Sequence, residues 1–83
     1  MNLYLYLISQ TENNIWDTFD SAVVCAPDEE TARNMDPANG EPMTWGETWG
    51  SWATAPKNVT VELIGTAAEG VRQGVVCASF NAG

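Results

Sequence analysis

The chain has 83 residues, and its eleven acidic and three basic residues, with no histidine, give a net charge of −8. A chain this short buries only about 60 % of the surface that its unfolded form exposes, which excludes a second independent core. The acid excess excludes direct nucleic-acid binding, because phosphate contacts need clustered Lys and Arg. Since 45 % of the residues are hydrophobic, the chain is also too apolar for the disordered class.

Two strands are predicted in the first third of the chain. Residues 2–9 carry apolar or amphipathic side chains on both faces, which is typical of an interior strand. A turn follows at residues 11–17, and residues 19–26 form a second strand. Strict alternation puts Ala22 and Val24 on one face of that strand and Phe19 with Val23 on the other.

A short helix is predicted over residues 28–35. Asp28 is a good N-cap, and Glu29 and Glu30 lie in the first turn, where the helix dipole favours negative charge. Pro37 disfavours helical backbone at the preceding residue, so the helix has about two turns.

The stretch at residues 37–58 is predicted to be a long loop rich in Trp and Gly. Its three tryptophans, Trp45, Trp49 and Trp52, are either core residues that pack the loop or anchors for a partner. A third strand is predicted at 59–64, a turn of helix at 66–69 from its capping-box pattern, and a fourth strand at 74–80.

The order β-β-α-loop-β-β predicts a single α+β domain over residues 1–83, with a small antiparallel four-stranded sheet and one short helix packed on one face. The longest apolar run, residues 3–8, is too short for a membrane span or a signal peptide. We therefore expect a cytosolic chain without a membrane partner.

No catalytic, metal or cofactor site is predicted. The chain has no histidine, which is the usual general base and the commonest metal ligand. Asp17 and Asp20 could form a carboxylate pair, but a domain of this size has little volume for a substrate cleft between them. Two cysteines are too few for a structural zinc site. Cys25 and Cys77 each follow a Val-Val pair on predicted strands, and they are either buried thiols or a disulfide.

The acidic residues are the candidate binding residues. They either keep the chain soluble or form a field of carboxylates, spaced like phosphates, that occupies a basic groove of another protein. The candidates are Asp17, Asp20, Asp28, Glu29, Glu30, Asp36, Glu41 and Glu47.

Several segments resemble a group of small acidic proteins encoded by phages and prophages. The resemblance rests on residues 17–24 (DTFDSAVV), Glu29-Glu30 with Ala32-Arg33, Pro37 and the closing residues 78–83 (ASFNAG). At Asp36 the sequence departs from the pattern, in which a histidine precedes the proline.

Small acidic phage proteins of this kind include anti-CRISPR proteins, some of which are similar to DNA in charge and block the DNA-binding surface of a type I Cascade. The resemblance implies a monomeric, non-enzymatic inhibitor in the cytoplasm of the bacterial host, with a basic Cascade subunit as its partner. The alternative is a phage accessory or assembly module that binds a protein partner through the Trp-rich loop.

Overall fold

The computed structural model describes residues 2–13, 16–45 and 51–81, and within them four strands form one antiparallel sheet. The strands are β1 Tyr4–Ser9, β2 Thr18–Ala26, β3 Thr60–Thr66 and β4 Gly74–Asn81. Their order across the sheet is β3-β1-β2-β4. One short helix, α1 at Glu29–Arg33, and a 3-10 turn at Pro56–Asn58 complete the elements of the described chain. The predicted α+β class is therefore confirmed.

The inner strands β1 and β2 carry the core. Their register pairs Tyr6 with Val24 and Ile8 with Ala22, and all four side chains are buried on the face that α1 covers. The opposite face of β1 carries Leu5 and Leu7, which are half-buried. The prediction of an interior strand at the start of the chain is confirmed, because β1 lies between β3 and β2.

A β-bulge at the start of β2 changes the face on which one aromatic residue lies. Phe19 pairs with Phe80 and Ser21 with Ser79, so Asp20 is an extra residue without a partner across the ladder. Phe19 therefore packs against the same core as Val24. The predicted placement of Phe19 with Val23 on the opposite face was wrong, because strict alternation does not hold across a bulge.

The helix is shorter than predicted and ends at Arg33. The next residue, Asn34, leaves the helical conformation with φ −97° and ψ 16°. Met35 then pairs with Pro42 as an isolated bridge, and Asp36 N–H donates to the Glu41 carbonyl over 2.8 Å. The chain after α1 thus turns back on itself instead of extending the helix to residue 35. No helix of the described chain is long and apolar enough to cross a membrane.

The turn of helix predicted at residues 66–69 is absent. Thr66 is the last residue of β3 and pairs with Tyr4, and the N–H of Ala67 donates to the Leu3 carbonyl over 3.0 Å. Thr66 and Ala67, which the capping-box pattern assigned to a helix, are therefore hydrogen-bonded to the sheet instead. From here the connection crosses the ends of both inner strands to reach β4.

Candidate protein-binding surface

Five acidic residues lie on α1 and on the turn that follows it. Asp28, Glu29, Glu30 and Glu41 are exposed and Asp36 is half-exposed. The N–H of Met43 donates to the Asn34 carbonyl over 2.7 Å, which holds the turn beside the end of the helix. We call these five residues the α1 acidic patch. The fold thus groups five of the eight predicted binding residues around one short helix.

Two carboxylates of the α1 acidic patch also stabilise the backbone. Asp28 Oδ1 accepts the N–H of Thr31 over 2.7 Å as the N-cap of α1, and this hydrogen bond lowers the pKa of Asp28 from its ordinary 3.8. Asp36 Oδ1 accepts the N–H of Ala38 over 2.8 Å. A substitution at either residue would therefore change local structure as well as charge.

The counter-charge of the α1 acidic patch is turned towards the body of the protein. Arg33 is the single basic residue between positions 28 and 45. Its Nη1 donates to the carbonyls of Val59 and Pro56, and its Nη2 lies 3.7 Å from Glu29. The guanidinium therefore pins α1 to the segment before β3 and offsets one of the five carboxylates, so the patch keeps a net charge of −4.

The field of the patch reaches the core beneath it. The phenol of Tyr6 is buried on the covered face, and burial together with the negative charges of Asp28 and Glu29 raises its pKa above the ordinary 10.0. Helix α1 itself packs against β1, β2 and β3, with its Ala32 buried in the core. The patch has a fixed position relative to the sheet.

The remaining predicted binding residues lie elsewhere. Asp17 and Asp20 lie at the start of β2, whereas α1 follows its end, and a nine-residue strand separates the two ends by about 25–30 Å. Asp17 has a left-handed backbone with φ 63°, and Asp20 accepts a hydrogen bond from Ser79 over 3.4 Å. The fold does not bring the two acidic groups together. Glu47 lies outside the described residues.

The tryptophans divide between the core and the surface. Trp52 is 1 % exposed and belongs to the core, which confirms that this residue packs the loop. Trp45 is half-buried, and its indole N–H donates to Asn34 over 3.2 Å. Trp49 lies outside the described residues. Neither of the two loop tryptophans that the structure describes is fully exposed to a partner.

Sequence reasoning missed Trp16, which is 69 % exposed in the turn before β2. It follows Ile15 and precedes Asp17 in a segment that was interpreted only as a connection. Its position in a short turn between strands was the available signal, because such a turn has no further layer to cover a large side chain.

The two thiols are free. Cys25 is buried, which raises the pKa of its thiol, and Cys77 is exposed. Cys77 lies opposite Val23 in the β2–β4 register, so the two cysteines are on neighbouring strands but are not paired. Within the described ranges no group of three or more His, Cys, Asp or Glu residues could hold a metal ion.

No family model matches the chain, and comparison with curated proteins and with solved structures finds no match.

Proposed function

We propose that this chain is a small acidic inhibitor, similar to phage anti-CRISPR proteins, whose carboxylates bind a basic DNA-binding surface of a type I Cascade in place of DNA. The observation that carries the proposal is the α1 acidic patch, with four exposed carboxylates and a fifth half-exposed on α1 and its following turn. The resemblance of residues 17–24 and 78–83 to small acidic phage proteins supports the choice of partner.

The orientation of the Arg33 side chain supports this proposal, because the guanidinium does not face the partner. A guanidinium on the surface would neutralise the neighbouring carboxylates and repel a basic groove. Here it donates to backbone carbonyls of Pro56 and Val59, so the partner meets carboxylates rather than an alternation of charges. Such a surface attracts clustered Lys and Arg over a Debye length of about 10 Å at moderate salt.

Asp17 and Asp20 act as a separate contact in this proposal. Because they lie at the far end of β2, one small basic pocket cannot hold both groups. A groove built to follow a DNA duplex is long enough to reach both, since the longest dimension of this chain is 36 Å. The α1 acidic patch is the larger group and is expected to provide most of the attraction.

The test is competition between this protein and duplex DNA that carries the protospacer-adjacent motif for purified Cascade. The double variant Glu30→Lys/Glu41→Lys reverses two exposed charges of the patch without touching Asp28 or Arg33. Its matched control is Glu62→Lys/Glu69→Lys, which makes the same change in net charge at exposed positions of β3 and of the following connection. We expect the first variant to lose competition and the second to keep most of it.

Two results would contradict the proposal. Equal loss in both double variants would mean that net charge, not the patch, determines binding. Binding of the wild type that does not weaken as salt rises would instead favour the apolar alternative, with the exposed indole of Trp16 as the anchor to be replaced next. A thermal melt of each variant shows that the fold is retained.

A further inference from the structure

The turn after α1 contains the pair Asn39-Gly40, in which a glycine follows an asparagine. The chain has seven asparagines, and Asn39 is the only one whose next residue is glycine. In such a pair the backbone nitrogen of the second residue can attack the side-chain amide carbon of the first. Glycine leaves that nitrogen unhindered because it has no Cβ. The other six asparagines are each followed by a residue whose side chain shields the nitrogen.

The side chain of Asn39 is held back over the peptide that follows it. Asn39 is exposed, and its Oδ1 accepts the N–H of Glu41 over 2.9 Å. This hydrogen bond forms an Asx turn, which spans the peptide unit between Asn39 and Gly40. It therefore orients the amide carbon of the side chain towards the Gly40 nitrogen.

The same hydrogen bond stabilises the charge that the reaction creates. Attack on the amide carbon places negative charge on Oδ1 of Asn39. A donor that is already aimed at an oxygen where charge develops stabilises the transition state, and the N–H of Glu41 is such a donor. The turn thus supplies both orientation and a hydrogen bond to the reacting carbonyl.

The backbone requires glycine at position 40. Gly40 has a φ of +78°, which residues with a side chain rarely adopt. A Cβ at this position would lie 3.3 Å from the Cα of Gly74 and 3.4 Å from the nitrogen of Val75. A larger residue would therefore strain the turn and displace the start of β4. The fold thus retains the reactive pair because its second member cannot be exchanged without strain.

One contact opposes the reaction. The N–H of Gly40 donates to the Asp36 carbonyl over 2.8 Å, so the proton that must leave is hydrogen-bonded in the closed turn. This bond belongs to a surface turn outside the sheet, and local opening of such turns requires much less free energy than global unfolding. The reaction therefore proceeds in molecules that have opened this hydrogen bond and are otherwise folded.

We propose that Asn39 is a site of spontaneous deamidation in the folded protein, and that this modification adds a carboxylate to the α1 acidic patch. A base from the solvent removes the amide proton of Gly40, the nitrogen forms a bond to the side-chain carbon of Asn39, and ammonia leaves. Water then opens the cyclic imide to aspartate or isoaspartate, and nothing is oxidised or reduced. The new carboxylate lies between Asp36 and Glu41 along the chain, so the patch gains one negative charge. The inference does not depend on the proposed inhibitor function.

The two products differ in structure. Aspartate at position 39 can accept the N–H of Glu41 as asparagine does, so it retains the turn. Isoaspartate leads the chain through its own Cβ, which adds one atom to the backbone of the turn. That turn is closed by the bridge between Met35 and Pro42, so the isoaspartate form is expected to melt at a lower temperature than the aspartate form.

The experiment is storage of the full chain at mildly alkaline pH, with anion-exchange chromatography at intervals. The wild type is expected to give later-eluting material that is more negative by one charge, and the rate should rise with pH because a solvent base removes the proton. Tryptic mapping should place the amide-to-acid mass change in the peptide of residues 34–57. Fragment spectra distinguish Asn39 from Asn34 within this peptide.

Three variants test the role of Asn39. Asn39→Gln keeps an amide but lengthens the side chain, which slows ring closure, and it should abolish the later-eluting material. Asn2→Gln, the matched change at another exposed asparagine, should leave the reaction unchanged. Asn39→Asp should elute with the aspartate product and melt at the wild-type temperature, because it keeps the hydrogen bond from Glu41.

A wild type that forms no later-eluting material, or forms it first at another asparagine, overturns the proposal. The same measurement in urea tests the part played by the fold. Conversion of Asn39 in the unfolded chain alone also overturns the proposal, because the hydrogen bond from Gly40 to Asp36 would then protect the pair. Conversion in the native protein, with loss of the reaction in Asn39→Gln alone, supports it.

Discussion

The inner and outer strands of this sheet differ in how they use apolar residues. In β1 and β2, Tyr6, Ile8, Ala22 and Val24 are buried beneath α1 and Trp52. In β3 and β4 large apolar side chains remain exposed, among them Leu63, Ile64, Val76 and Phe80. The core of a chain this small therefore covers the width of two strands, and the outer strands contribute mainly hydrogen bonds and one row of partly buried side chains.

The largest expected difference between inner and outer strands is the reactivity of the two thiols. In native wild-type protein, Cys77 on β4 should react with a thiol reagent as an exposed cysteine does. Cys25 on β2 becomes accessible only on unfolding, so its reaction should be slower by a factor of about 10³ or more. Burial also raises the pKa of Cys25 and so lowers its thiolate fraction. Peptide mapping by mass spectrometry measures both rates, and equal rates would show that Cys25 is as accessible as Cys77.

The next difference concerns stability. Ile8→Ala removes buried methyl groups from β1 and should lower the free energy of unfolding by about 2–5 kcal/mol. Leu63→Ala on β3, where the side chain is 60 % exposed, should change it by about 0.5 kcal/mol or less. Urea unfolding measures both, and Ile8→Val, expected to cost about 0.5–1.5 kcal/mol, replaces Ile8→Ala if that variant is unfolded. Similar losses at both positions would show that β3 is part of the core.

A smaller effect is expected where an inner strand contacts an outer one through aromatic rings. The ring centroids of Phe19 and Phe80 lie 4.8 Å apart with planes tilted by 57°. Such a pair should show a coupling of about 1 kcal/mol in a double-mutant cycle with Phe19→Leu and Phe80→Leu. A coupling near zero would mean that Phe80 rests on the edge without contributing to the core.

The smallest effect is a pH dependence at the join between β1 and the segment before β3. Glu12 accepts hydrogen bonds from Thr54 and Asn58, which lower its pKa from the ordinary 4.5. A lowered pKa stabilises the fold fully above 4.5, and this contribution is lost as pH falls from about 4.5 through the lower folded value. Glu12→Gln should reduce the loss of melting temperature in that range; an unchanged profile would assign the acid sensitivity to other groups, such as Asp28.

The elements of this fold were predictable where local chemistry decides them. The apolar faces of residues 2–9 indicated an interior strand, and Asp28 followed by two glutamates indicated the start of α1. The helix end was misplaced because Met35 pairs with Pro42, a contact that no local pattern encodes. The bulge at Asp20 and the extension of β3 to Thr66 depend on pairing with neighbouring strands, so the local sequence pattern could not predict them either.

The sequence predicted which residue types form the candidate site, but not which of those residues lie together on the surface. Eight acidic residues were selected by type, and the fold gathers five of them while it places Asp17 and Asp20 at the far end of β2. The direction of Arg33 could not be foreseen, since its acceptors are the carbonyls of Pro56 and Val59, more than twenty residues away along the chain. The edge position of β4 was also hidden, because GVVCASF is apolar enough to be an interior strand.

The strand order has a consequence for synthesis of the chain on the ribosome. The β1–β2 hairpin emerges first, but both of its neighbours, β3 and β4, belong to the last third of the chain. A two-stranded hairpin is marginal by itself in water, so the nascent chain has no stable sheet until residues 60–81 have left the exit tunnel. The sheet should therefore fold only after residue 81 has left the tunnel, which gives holdase chaperones a long interval in which to bind the unpaired strands β1 and β2.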